Sequence, residues 1–303
     1  MGLLPSPLSA SFNGDAAGTY ISAALKSAKT LDYLTILENV KYKRQIQKVV
    51  GAGLVKDATC DFTDAGTLTL SEKTLEPSNL QINVDLCKGH LLSDYQSLQM
   101  TAGANNNGMS NDFSAFVMSH LAETIANSTE TDCWTGTGTD GFIGFLTPTT
   151  GAFLTDTVTT GSVSGALDAS NIVTNLQTCV STIPANVYGK ASEDLYIYMN
   201  PKNYRFYISK MSTEGYVNQY SMQDTYQPYF EGIKIAVCPG MNDNEIVAAE
   251  KSNMFFGTDL LSDSTQINIM DMSKLDGSDN LRVVCKYTAG VQSGIASDIT
   301  WIN

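Results

Sequence analysis

Histidine is nearly absent from this chain: its 303 residues include two, His90 and His120. The six cysteines (Cys60, Cys87, Cys133, Cys179, Cys238 and Cys285) stand singly, with no Cys-x-x-Cys pair. A zinc centre or a dithiol redox site needs such side chains clustered at short spacing, so neither is expected, and most of the cysteines read as buried thiols in a reducing compartment. No run approaches the roughly 20 apolar residues of a membrane-crossing helix. The opening MGLLPSPLSASFNG lacks a basic segment followed by a sustained apolar one, so no secretory signal is expected. Met1-Gly2 with Ser6 superficially fits an acylation signal, but Pro5, Pro7 and the want of any other membrane feature speak against it.

Positive charge is also scarce. Lys and Arg number 18 against 31 acidic residues, a formal net charge of −13, and none falls between Lys88 and Lys190. Such a surface repels phosphate backbones, which argues against sequence-specific DNA binding. Gly136-Thr137-Gly138-Thr139-Asp140-Gly141 matches G-x-G-x-x-G, but a helical pattern precedes it where a phosphate-binding loop needs a helix to follow, so it reads as a structural turn. GSVSG centres on Val163 and is no nucleophile elbow, and Asn242-Asp243-Asn244-Glu245 lacks calcium-loop order and reads as a polar turn. Asn127-Ser128-Thr129 fits a glycosylation sequon that a cytosolic context makes irrelevant. His120 reads as a boundary histidine beside Leu121, and His90 has no ligand partner beyond Asp94. No catalytic constellation, cofactor site or metal site is expected, and so no enzyme.

What is present is periodicity. Phe113, Phe116, Val117, Leu121 and Ile125 fall at i, i+3, i+4, i+8 and i+12 after a capping Ser110 or Asn111, which predicts a helix of about five turns. The pattern stops after Asn127. A polar, Gly-rich turn, Thr135 to Gly141, then leads into Phe142, Ile143, Phe145 and Leu146. Earlier, residues 1 to about 20 read as an extended arm and Tyr20 to Leu37 as one or two short helices. Lys41, Lys43, Arg44 and Lys48 form the one basic cluster, either a solvated face or a contact for an acidic partner. From Val49 to Cys87 the pattern has period two, Leu68 and Leu70 and then Leu80, Ile82, Val84 and Leu86, around the turn residues Glu76-Pro77-Ser78-Asn79. This predicts a long hairpin, packed on its own domain or lying on a neighbour. Leu91 to Asn107 carries a second amphipathic piece and a polar break.

The stretch after Leu146 looks like loops with short strands. Asp168 to Ile183 reads as a helix ended by Pro184, and Leu195 to Met199 as a buried strand passing through Asn200-Pro201 into another helix. Tyr229 to Met241 gives a Gly, a strand and a Pro-centred turn. Ala249 to Asp259 ends in Phe255-Phe256-Gly257-Thr258-Asp259, and Gln266 to Met270 with Leu281 to Ala289 read as paired strands around Asp276-Gly277-Ser278-Asp279.

In that order, from about residue 40 onward, these features resemble the major capsid proteins of tailed bacteriophages, the Hong Kong 97-type fold. The resemblance implies an α+β chain with an N-terminal arm (1 to 40), an extended β-hairpin loop and flanking strands (41 to 90, the loop itself about Val50 to Asn83), and a peripheral domain with a long spine helix (91 to 167). An axial domain (168 to 263) and C-terminal strands returning to the peripheral domain (264 to 303) complete it. It implies self-assembly as pentamers and hexamers around double-stranded DNA, with a portal protein and separate scaffold and decoration proteins as further partners. No room is seen for a long scaffolding prodomain, so any scaffold is a separate protein or absent. The acidic balance suits an inner wall to which DNA does not stick. Contacts between subunits are expected at Lys41, Lys43, Arg44 and Lys48 and at the loop residues Glu72, Lys73 and Glu76. Some members cross-link a Lys to an Asn; Lys56 or Lys73 with Asn200 or Asn203 are available, but no motif assigns them. An encapsulin-type compartment shell, holding a cargo enzyme, is the alternative within the fold. A small-molecule hydrolase or binding protein would need a pocket of converging polar groups. A secreted β-rich surface protein would explain the Thr, Gly and Asn content, against which stand the missing signal and the scattered cysteines.

Overall fold

The computed structural model describes residues 29–58, 60, 64–87, 111–147, 150–154, 158–162, 165–189, 194–214, 228–258, 267–272, 277–278 and 280–303. A 3-10 turn, Lys29–Tyr33, leads into β1 (Thr35–Leu37), β2 (Arg44–Ala52), β3 (Thr67–Leu75) and β4 (Ser78–Cys87). The helix α1 (Asn111–Thr135) and β5 (Thr159–Gly161) follow, then α2 (Ile172–Thr182), the single turn α3 (Ala185–Tyr188), β6 (Leu195–Met199) and α4 (Pro201–Thr213). The chain finishes with β7 (Tyr229–Phe230), β8 (Ile233–Val237), β9 (Ile246–Glu250), β10 (Met254–Gly257), β11 (Ile267–Asp271), β12 (Asn280–Ser293) and β13 (Thr300–Ile302). Among the described residues no helix is long and apolar enough to cross a membrane.

The six-stranded sheet, ordered β5-β13-β9-β6-β8-β7, is covered on both faces. Alternate side chains divide between two cores, as the period of a strand requires. Leu195, Ile197 and Met199 of β6, with Ile246 and Ala248 of β9, pack beneath Ile172, Leu176 and Cys179 of α2. Tyr198, Val247, Ala249 and Trp301 face the other way, onto Trp134, Phe142, Phe145 and Phe153. Burial on both sides explains why Leu195 to Met199 is apolar without alternation. The helix after it starts where the Asn200 side chain accepts the Lys202 N–H at 2.8 Å and Pro201 occupies the first helical position. The Asp168 carboxylate organises the approach to α2 by accepting the backbone N–H groups of Ser170 (2.7 Å) and Asn171 (3.0 Å).

In the second sheet β12 is central, pairing antiparallel with β4, β11 and β10, and β10 pairs parallel with β1. β2 and β3 form a separate two-stranded ribbon. The expected hairpin is therefore redrawn. β3 pairs with the basic strand before it, and β4, after Glu76 and Pro77, pairs with β12. Pro77 is buried and has no N–H to donate, so the ladder between β3 and β4 that a tight turn would seed does not form there, and the chain crosses from ribbon to sheet.

Two further expectations change. α1 runs to Thr135, 25 residues or about seven turns, because Thr129, Glu130, Cys133 and Trp134 are buried and the core holds the polar continuation of the helix. Thr35 to Leu37, taken with the helical segment before it, is a strand. The pieces at 1–28 and 91–107, and His90, lie outside the described residues. Cys133, Cys179 and Cys238 are buried thiols, whereas Cys60 and Cys87 are exposed.

Candidate assembly surfaces

The β2–β3 register pairs Gln47 with Glu72, Val49 with Leu70 and Gly51 with Leu68 on one face, and Ile46 with Lys73 and Lys48 with Ser71 on the other. Side chains that alternate along both strands thus divide between two faces, the cations Arg44, Lys48 and Lys73 all falling on the second. The first face is open to solvent and apolar at its outer end, where Val49, Leu68 and Leu70 are 59%, 68% and 57% exposed. Leu54 folds back over Gly51 against Leu68 and widens the patch. The second face carries Arg44, Lys48 and Lys73, and at its base it turns inward: Leu75 is fully buried against Gly257, and the Lys73 ammonium donates to Ser293 Oγ at 3.3 Å. A ribbon of two strands with an apolar face in water is marginal alone and invites a covering surface.

All seven residues expected to contact other subunits lie on this ribbon or at its root. They do not form one patch. Lys43 pairs with Glu76 at 2.9 Å across the root, which raises the lysine's pKa through that hydrogen bond, and sits 5.3 Å over the Tyr42 ring. Gln47 donates to Glu72 at 3.0 Å on the apolar face. Arg44 and Lys48 line the opposite face, and Lys41 is exposed just before β2.

The end of α1 holds a junction that periodicity did not disclose. Glu130 of α1 is fully buried and accepts three hydrogen bonds, from Thr30 N–H (2.9 Å), Thr30 O–H (2.5 Å) and Gly240 N–H (3.2 Å). Trp134 Nε1 donates to the same Thr30 hydroxyl at 3.0 Å. One carboxylate thereby joins the N-terminal turn, the end of α1 and the Pro239-Gly240 turn after β8. A glutamate flanked by two threonines looks exposed in sequence; the one available signal is that it precedes Trp134 by four residues and shares its face. Next to it, the Gly-rich turn is stitched by Gly144 N–H to Gly136 O (2.9 Å), Phe145 N–H to Cys133 O (2.9 Å) and Leu146 N–H to Trp134 O (2.8 Å). A Cβ on Gly144 would meet the Trp134 carbonyl at 2.6 Å, so only glycine fits. Asp132 lies against this turn, its carboxyl pKa raised by burial and partly restored by a 3.2 Å bond from Ser128.

The polar loop at 242–245 is occupied by its own partners, Lys202 with Asp243 at 2.7 Å, Asn242 with Glu245 at 3.1 Å and Leu167 N–H with Asn244 at 3.2 Å. Among the described residues no three His, Cys, Asp or Glu side chains are grouped to hold a metal ion.

No protein-family model and no curated protein matches the sequence. Solved structures do match over nearly the whole chain. The capsid of Myoviridae phage XM1 aligns at a TM-score of 0.61 with 12% identity over 94% of each chain. The capsid of the native GTA particle, computed with C5 symmetry, gives 0.60 with 15% identity over 93% of this chain and 92% of that one. Mycobacterium phage Che8 gives 0.57 with 11% identity over 94% of each. These likenesses give the chain the α+β fold of the phage capsid proteins, the one its order of sequence features resembles.

Proposed function

We propose that the chain is the major capsid protein of a tailed phage and assembles as pentamers and hexamers into the icosahedral shell that encloses a double-stranded DNA genome. The observation that carries this reading is the likeness of the fold, over 94% of the chain, to a phage capsid at a TM-score of 0.61. On this reading α1 is the spine helix and the β2–β3 ribbon the extended loop. Residues 1–40 form the arm, 91–167 the peripheral domain, 168–263 the axial domain at capsomer centres, and 264–303 return to the peripheral domain. The ribbon's exposed Val49, Leu68 and Leu70 lie on an adjacent copy. Arg44, Lys48 and their basic neighbours meet carboxylates of a chain whose net charge is −13. Repeated interfaces add across many copies, so modest pairwise affinity suffices for a closed shell. The portal, scaffold and decoration proteins are the further partners, DNA is held without sequence-specific contacts, and assembly takes place in the host cytoplasm. The role is structural, with no reaction assigned.

The test is size-exclusion chromatography and negative-stain electron microscopy of the recombinant chain, alone and co-expressed with the genes beside its own. Rings, sheets or shells are expected. A small monodisperse oligomer in both preparations overturns the reading, and shells filled with a co-purifying enzyme instead of DNA assign a compartment.

A further inference from the structure

The helix-covered core contains polar atoms that the protein leaves unanswered. Asn203, in the first turn of α4, is fully buried, and neither its Oδ1 nor its Nδ2 has a hydrogen-bond partner. Asn175, inside the buried stripe of α2, has its Nδ2 unpartnered, and so does Thr300 of β13 its Oγ1. These residues belong to one layer. α2 packs against α4 and over β13, and Thr300 shares a strand face with Ile302, which lies in the core under the helices.

Buried amides and hydroxyls are bonded to protein or to ordered water in nearly every folded structure, because desolvating them without a partner is unfavourable. The chemistry of the orphaned atoms specifies what answers them. Asn203 offers two N–H donors and a carbonyl acceptor, Asn175 offers N–H donors, and Thr300 a hydroxyl that does either. A matching ligand is small, neutral, and both donates and accepts, as water does. We propose that this core holds a built water site anchored on Asn203, with the unpartnered atoms of Asn175 and Thr300, on elements of the same layer, as candidates for its remaining bonds. The site ties the start of α4, directly after the Asn200-Pro201 junction, to the layer beneath it. It stands whether or not the chain builds a shell.

The test has two readouts. In a reconstruction or crystal structure fine enough to resolve other internal waters, a compact density peak is expected within hydrogen-bond distance of the Asn203 side chain. Its absence, with the amide bonded directly to a protein group, overturns the proposal. In thermal unfolding, Asn203→Leu is expected to lower Tm by several degrees, since it breaks a satisfied network; an unchanged or raised Tm overturns the proposal, because relieving a dry orphaned amide would stabilise. If that variant does not fold, the density readout on the unaltered chain still decides.

Discussion

The side chain of Glu130 accepts both the N–H and the O–H of Thr30, 100 residues earlier in the chain, at 2.9 and 2.5 Å. Both residues are fully buried, so the bonds are shielded from competing water. Glu130→Ala strands the Thr30 and Gly240 N–H donors and is expected to destabilise the chain by about 3 kcal/mol, with Glu130→Gln, which keeps one acceptor oxygen, well below that. Chemical unfolding of the unassembled chain, followed by fluorescence of Trp134 and Trp301, checks it.

The turn after β8 packs directly on the same helix. A Cβ on Gly240 would meet the Glu130 carbonyl oxygen and the Thr131 Cα, which are backbone and cannot swing aside. Gly240→Ala is therefore expected to cost on the order of 3 kcal/mol. An unaltered midpoint in the same unfolding measurement would show that the turn can move away from the helix backbone at no cost.

Ribbon residues separate folding from assembly. Leu75 is fully buried at the ribbon's root, and Leu75→Ala is expected to cost about 2–5 kcal/mol of stability. Leu68→Ser with Leu70→Ser alters exposed positions, so stability is expected to stay within about 0.5 kcal/mol per site while assembled particles disappear from micrographs. Intact particles with the double variant would remove the ribbon's apolar face from the assembly reading.

Thiol labelling of the unassembled chain should divide the cysteines. Burial pushes the Cys179 thiol up to about 12 and raises Cys133 and Cys238 well above the ordinary range, so at pH 8 they carry almost no thiolate. Cys60 and Cys87 are exposed. Mass spectrometry after brief maleimide treatment is expected to find Cys60 and Cys87 modified and Cys133, Cys179 and Cys238 protected until denaturant is added.

Asp132 provides a pH dependence of known sign. Burial raises its folded-state pKa, the Ser128 bond opposing, so the fold favours the protonated carboxyl. Its contribution is most favourable at acid pH and is lost as pH rises through the raised value. Asp132→Asn is expected to raise Tm slightly at pH 7 and to leave it unchanged below the ordinary carboxylate range. The effect is small because the side chain is only half buried.

Local order was written in the residues themselves. The buried run Leu195 to Met199, the Asn200-Pro201 start of α4, the stop at Pro184 and the Gly-rich turn after α1 follow from side-chain periodicity and backbone chemistry that act within a few residues. The order of those elements was enough to suggest the capsid fold. The tertiary structure alone decided which strands pair and which polar residues go inside. A period of two marks Thr67 to Leu75 as a strand without naming its partner, and its ladder formed with Arg44 to Ala52 and not with the strand two residues ahead. Likewise the basic cluster and the loop residues Glu72, Lys73 and Glu76 were legible as polar positions, but the register alone brought Arg44 and Lys48 onto one ribbon with Glu72 and Lys73 and set Glu72 on the opposite face from the other three. Glu130 was hidden because its three donors come from Thr30 and Gly240, far along the chain, and a carboxylate's burial depends on what surrounds it rather than on its neighbours in sequence.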